Sequence, residues 1–220
     1  MTTPEQAPVV RRMAHLAGRG MAIPLSYGLL RLRRRGDEHI PADGGVLLVA
    51  NHVANLDPLL VATAALPRVT YFMAKAELFR VPVLTRLITS QGAFPVDRGN
   101  ADRSAMRISR DILGRGDTLL MFPEGTRSGG VMHPPQPGAG TLALLPGVTV
   151  VPAAVWGSQR RFGPVRVAFG PPIDMSDLTE GPRGARARRA AHRMMVHIAG
   201  LVPTVGGPVQ RVPPLAVSDG

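Results

Sequence analysis

Residues 45–58 read GVLLVANHVANLDP. From Val46 to Asn51 at most one side chain is polar, the pattern of a buried strand, and Asp57-Pro58 ahead of LLVATAAL is the signature of a helix start. His52 then falls in a strand-to-helix turn. Such a turn lies at the carboxyl edge of a sheet, where open α/β folds bind their ligands, and Asp57 is near enough in sequence to fold back onto the imidazole. A carboxylate that accepts from one ring nitrogen fixes the tautomer and leaves the other nitrogen as a base. The same two residues also read as a helix N-cap aspartate beside a core histidine, and the spacing alone leaves both readings open.

Length and composition narrow the surroundings of this turn. A chain of 220 residues is one domain, with or without extensions, and 45% hydrophobic residues argue against disorder. The absence of cysteine excludes a disulfide framework, a thiolate nucleophile and a zinc finger. Six histidines are scattered without an HExxH-like spacing, so no metal and no resident cofactor are expected. The first residues lack a charged region, an apolar core and a small-residue cleavage site in succession, which argues against secretion.

The net charge of +11 is unevenly placed. Residues 36–180 hold thirteen basic and thirteen acidic side chains, whereas residues 1–35 hold seven arginines against Glu5 and residues 181–220 hold six against Asp219. Basic ends on a neutral body suit an anionic membrane or an anionic polymer. A nucleic acid is the weaker match, because aromatics are only 4% and no reader motif is present. Lys75 is the only lysine among these cations.

Between Val9 and Leu32 the apolar residues are interrupted by Arg19, Pro24 and Tyr27, and the longest uncharged run, Gly20 to Leu30, is far shorter than the roughly 20 residues that cross a bilayer. Arg31, Arg33, Arg34 and Arg35 follow at once. An apolar segment flanked by arginines fits an amphipathic helix in the membrane interface, which is the reading favoured over a helix packed on the domain with a solvated basic end.

Beyond this segment, strand and helix patterns alternate. Strands are expected at Val69–Lys75, Gly92–Val96, Thr118–Phe122, Val148–Val155 and Val165–Phe169, with helices from Leu59, at Val83–Ser90, Arg103–Leu113, Thr141–Leu145 and Arg183–Leu201. The expected architecture is α/β: a single domain with a mixed, largely parallel sheet flanked by helices. Its expected limits are 36–201, with 1–35 a basic membrane-associating segment and 202–220 a flexible tail rich in proline and glycine.

Three further stretches fall on strand ends: FPVDRG at Phe94–Gly99, FPEGTRS at Phe122–Ser128 and VPAAVWG at Val151–Gly157. The first two set Arg98 and Arg127 beside glycines, where backbone can approach a ligand and a guanidinium can clamp a phosphate. The Glu124-Gly125-Thr126 turn can add backbone amides and a hydroxyl. Glu124 can meet a ligand hydroxyl or orient Arg127. His133, in the proline-rich loop HPPQPGAG, reads as a solvated histidine.

Together NHVANLDP, FPVDRG, FPEGTRS and VPAAVWG resemble the four ordered motifs of the glycerolipid acyltransferase family, of the lysophosphatidate acyltransferase or PlsC type. The resemblance covers about Pro41 to Asp174, including AKAELFRVP at Ala74–Pro82. It implies transfer of a fatty acyl group from acyl-CoA or acyl-ACP, as co-substrate, to the free hydroxyl of a lysophosphatidate in phospholipid biosynthesis. His52 is then the base and Asp57 its partner, with Lys75, Arg98, Glu124, Gly125, Thr126 and Arg127 on the phosphate-bearing acceptor and Pro152 on the acyl donor. The implied partners are an anionic membrane surface, the donor's carrier and a lysophospholipid, with no nucleic acid. The implied location is the cytoplasmic face of the cell membrane, as a peripheral or monotopic protein.

One departure bears on the acceptor. After its third motif the family commonly carries a Phe-Lys-x-Gly stretch, and here the place reads Pro135-Gln136-Pro137-Gly138. Another lysophospholipid or a glycolipid therefore stays open as acceptor, as does a noncatalytic lipid-binding protein of the same fold.

Overall fold

The computed structural model describes residues 23–96, 103–128, 131–160 and 163–215. In chain order it contains β1 (Arg33–Arg35), β2 (Gly45–Ala50), α1 (Asp57–Ala64), β3 (Thr70–Lys75), α2 (Pro82–Ser90), β4 (Ala93–Val96), α3 (Arg103–Gly114), β5 (Thr118–Met121), α4 (Pro137–Ala143), β6 (Val148–Trp156), β7 (Arg166–Phe169) and α5 (Arg183–Leu201). Short turns of tighter or wider helix occupy Pro24–Leu29, Asp37–His39, Ala76–Arg80 and Val202–Val205.

The strands form one seven-stranded sheet in the order β1-β7-β6-β2-β5-β3-β4. Every neighbouring pair is parallel except β6 and β7. The fold is thus the expected α/β type with a mixed, mostly parallel sheet. β2, buried at every residue, lies in the middle with β5 on one side and β6 on the other. Register aligns Val49 with Met121 and Ala50 with Ala153, so the carboxyl ends of β5, β2 and β6 come together. An unbroken apolar run suits that central place, because a parallel strand covered on both faces has no solvent side to fill with polar residues.

Alternate residues of the strands feed two cores. Leu47, Val49, Tyr71, Leu119, Val150 and Ala154 face the layer of α3, α4 and α5. Val46, Leu48, Ala50, Phe72, Leu120 and Val151 pack with Leu60, Val61 and Ala64 of α1 on the other face. In α3 the buried residues Ala105, Ile108, Ser109 and Ile112 recur at helical spacing, which turns its arginines outward. In α5 the stripe is Ala187, Ala190, Ala191, Met194, Met195 and Ile198.

Three places differ from the sequence reading. Arg33–Arg35 pair with Arg166–Ala168 as the edge strand of the sheet, and Leu32 lies in the core, so the basic end at 1–35 reaches into the domain rather than stopping before it. The cause is backbone pairing, helped by the Arg34 guanidinium, which donates to the carbonyls of Ala64 and Leu66 at 2.9 and 2.8 Å. The brief helix expected at Thr141–Leu145 is α4, four residues earlier, because Pro137 starts it in the first turn, where no N–H is missed. Gly140 is required within it, since a methyl group there would run into the backbone carbonyl of Ala187 in α5. The expected tail is in part core: Val202 and Val205 are buried and Val212 packs against the same cluster.

The first 22 residues of the expected membrane segment lie outside the described part. In the turn Pro24–Leu29 the side chains Leu25, Tyr27 and Leu29 are exposed, while Ser26 is buried. Among the described residues no helix is long and apolar enough to cross a membrane.

Candidate active site

β2 ends at Ala50 and the next residues turn into α1, which brings His52 and Asp57 face to face. His52 Nδ1 lies 2.9 Å from Asp57 Oδ2, and both side chains are buried. The same Oδ2 accepts from the backbone N–H groups of Val53 and Ala54 at 2.6 and 2.7 Å. Asp57 is the first residue of α1, yet its carboxylate bonds upstream into the turn instead of capping the helix; no side chain bonds the helix's N-terminal amides. An acceptor-only carboxylate at this spot requires the proton on Nδ1, which leaves Nε2 of the imidazole as the lone-pair nitrogen.

The backbone of His52 is held as firmly as its ring. Its N–H donates to Glu124 Oε1 at 3.2 Å, and its carbonyl accepts from the Ser128 N–H at 2.8 Å and the Ser128 hydroxyl at 3.1 Å. The imidazole stacks on Phe122, with centroids 4.2 Å apart and planes 23° from parallel. One residue earlier, the Asn51 amide donates to the Val155 carbonyl and accepts from the Val155 N–H, each at 2.9 Å. The ends of β2, β5 and β6 are therefore tied through side chains that bond backbone.

Glu124 lies at the edge of the cavity that His52 lines, and its carboxylate is taken up by backbone amides. Its carboxylate is buried, and its second oxygen accepts from the His133 N–H at 3.0 Å, so it joins two loops to each other. Burial pushes its pKa above the ordinary carboxylate range, against the opposing pull of the His133 and His52 amides. The ring of His133 is exposed, as expected for a loop histidine.

His52 lies in the wall of a cavity of about 450 Å3. Met73, Val96, Ala105, Met106, Leu120, Met121 and Phe122 make most of that wall apolar, and Glu124, Gly125, Thr126 and Gln136 supply polar edge. Gly125 and Thr126 are thus brought to His52 as expected. Lys75 is exposed at the carboxyl end of β3, and Arg127 is exposed in the turn after β5. Arg98 lies outside the described residues. Pro152 is buried inside β6, where its ring packs beside Gly170 and Leu201 and away from the residues that line this cavity.

Four residues of the arrangement were not singled out by sequence: Asn51, Phe122, Ser128 and Ser158. Three of them sit inside quoted motifs, but only their type was visible there. Ser158 follows VPAAVWG by one residue, and its hydroxyl donates to Asp57 Oδ1. Among the described residues no group of three His, Asp or Glu side chains is placed to hold a metal ion.

Comparisons with known proteins bear on the family and the fold. The 1-acyl-sn-glycerol-3-phosphate acyltransferase of Streptococcus pneumoniae is 33% identical over 175 residues, which are 76% of this chain and 65% of that protein. The protein of the same name from Bacillus subtilis is 30% identical over 154 residues, 68% of this chain and 77% of its own length. The chain thus spans a little under two thirds of the first relative and about three quarters of the second. The crystal structure of the 1-acyl-sn-glycerophosphate acyltransferase PlsC from Thermotoga maritima superposes with a TM-score of 0.66, covering 85% of this chain and 78% of that one at 24% identity, a likeness of fold. A family model described as Acyltransferase matches residues 31–156. Since that one stretch contains β1 through β6, the His52–Asp57 pair and the Glu124 turn, the chain belongs to the Acyltransferase family.

Proposed function

We propose that this protein moves a fatty acyl group from acyl-CoA or acyl-ACP to the free hydroxyl of 1-acylglycerol-3-phosphate, forming phosphatidate. The observation that carries this reading is the buried His52–Asp57 pair at the wall of a largely apolar cavity. Nε2 of His52 takes the proton of the acceptor hydroxyl as its oxygen attacks the thioester carbonyl. The carbon–oxygen bond forms, the carbon–sulfur bond breaks as the tetrahedral intermediate collapses, and the imidazolium returns the proton to the departing thiolate. Asp57 holds the ring and balances its transient charge. No covalent enzyme intermediate and no resident cofactor enter the balance. The apolar cavity suits an acyl chain. Lys75 and Arg127, with Arg98, are proposed to meet the acceptor phosphate from the sheet's carboxyl edge, and Pro152 to support the donor side only through the strand that bears it.

Gln136 favours a second reading of the acceptor. It lies on the cavity edge against Gly125, in the place where the family commonly has a lysine, and a neutral amide there accommodates another lysophospholipid or a glycolipid head group.

The protein is also proposed to work as a peripheral protein on the cytoplasmic face of a membrane. Exposed Leu25, Tyr27 and Leu29 beside Arg31, Arg33 and Arg34 support this, as do exposed Leu56, Leu78 and Val81. The test of function is a radiolabelled acyl transfer assay, with acyl-CoA and acyl-ACP in turn, against a panel of lysophospholipids. Lysophosphatidate as the best acceptor supports the proposal; a larger head group supports the second reading; no transfer to any of them refutes both.

A further inference from the structure

The two oxygens of Asp57 are held unequally. Oδ2 takes His52 Nδ1 and the amides of Val53 and Ala54, all from its own turn. Oδ1 takes the hydroxyl of Ser158 at 2.5 Å, from a residue 101 positions later. Rotation about the Cβ–Cγ bond would carry Oδ2 out of the imidazole plane and stretch these three bonds. A donor on the opposite oxygen adds a fourth hold against that rotation, from outside the turn. It does so without competing for Nδ1.

Ser158 is itself built into place. Gly157 turns the chain at φ +98°, and a Cβ there would stand 2.5 Å from the Pro164 carbonyl oxygen, so only glycine allows the chain to pass. The Gly157 N–H donates to Gln159 Oε1 at 3.0 Å. Three residues before Ser158, Val155 is clamped by Asn51, the neighbour of His52. The strand end that presents the hydroxyl is therefore fixed to the segment that presents the base.

We propose that Ser158 is a positioning residue of the acyl-transfer site, acting through Asp57 to hold His52 in line with the acceptor hydroxyl. The proposal rests on the reading of His52 as base and Asp57 as its partner. Ser158 is not among the residues that line the cavity, so its loss is expected in turnover and not in binding. One hydrogen bond to a charged group corresponds to about a 10-fold effect.

The test compares the full chain with Ser158→Ala, Ser158→Thr, Asp57→Asn and the Ser158→Ala/Asp57→Asn pair, reading kcat and both KM values with lysophosphatidate and acyl-CoA. In parallel, the Nδ1 proton of His52 is followed by NMR on 15N-histidine protein and assigned by its loss in His52→Gln. Expected results are a roughly 10-fold lower kcat for Ser158→Ala with unchanged KM values, recovery in Ser158→Thr, and no further loss on the Asp57→Asn background. The Nδ1 proton of Ser158→Ala should exchange faster with water than that of the parent. An unchanged kcat with an unchanged Nδ1 proton overturns the proposal, as does a raised KM alone, a threonine variant as slow as alanine, or an undiminished loss on the Asp57→Asn background. Parent-like turnover in Asp57→Asn itself would instead refute the dyad, while the Nδ1 exchange rate still reports whether Ser158 steadies Asp57.

Discussion

Glu124 Oε1 accepts the backbone N–H of His52, 72 residues earlier in the chain, while its other oxygen accepts the N–H of His133. The acid of the EGTR turn thereby fixes the height of the histidine over the cavity, and Ser128, four residues on, fixes the carbonyl of that same histidine. Position is set here by side chains that bond backbone, which is a rigid way to hold a reacting group.

The Glu124 arrangement has a signature in stability. Burial raises its pKa in the folded protein above that of the unfolded chain, so the folded state keeps the proton to higher pH. The contribution of this group is fully present below the ordinary glutamate range, about pH 4, and is lost as pH rises through the folded value. Urea unfolding of the parent and of Glu124→Gln across the acid-to-neutral range should show the parent losing ground to the variant as pH rises. A difference that is flat with pH, or that moves in the parent's favour, contradicts the burial account.

Arg127 is exposed in the turn that edges the cavity. Arg127→Lys keeps the charge and loses the planar two-pronged donor, so the acceptor KM should rise roughly 3- to 10-fold with the acyl-donor KM unchanged. Steady-state kinetics with each substrate varied in turn checks this. A rise confined to the donor KM would move Arg127 from the phosphate to the carrier.

Membrane contact is expected to run through the turn at Pro24–Leu29. A cut at residue 35 would remove strand β1 and Leu32 from the domain, so the informative change is Leu25→Ser with Leu29→Ser in the full chain. Sedimentation with vesicles containing anionic lipid should fall several-fold, and what binding remains should weaken with added salt. Undiminished, salt-insensitive sedimentation would place the contact elsewhere.

What could be read in advance follows from where the information sits. The central strands were legible because β2, β5 and β6 are apolar runs that a doubly covered sheet requires. β1 was not, because Arg33–Arg35 carry no apolar pattern; the strand exists through backbone pairing with β7, and its charged side chains suit an exposed edge. The position of α4 was hidden by Pro137, Gly138 and Gly140, which resemble a loop until the contact of Gly140 with α5 is known. In the site, the His52–Asp57 spacing was visible because the pair is local. The bonds of Glu124 to the His52 and His133 amides were not legible, because no side-chain pattern records a backbone partner. Ser158 gave no signal at all: a lone serine after a glycine acquires meaning only when β6 returns beside β2.

The central claim is that Asp57 serves His52 rather than the start of α1. The most direct measurement is turnover and thermal midpoint of Asp57→Asn side by side. The amides of Val53 and Ala54 hold an asparagine's oxygen on the side of Nδ1, but the neutral amide cannot balance the imidazolium charge, so turnover should fall by about 100-fold or more. The fold should survive, as the amide oxygen can still accept from Val53 and Ala54. Near-parental turnover at a near-parental midpoint would contradict the catalytic pair and return Asp57 to a structural role.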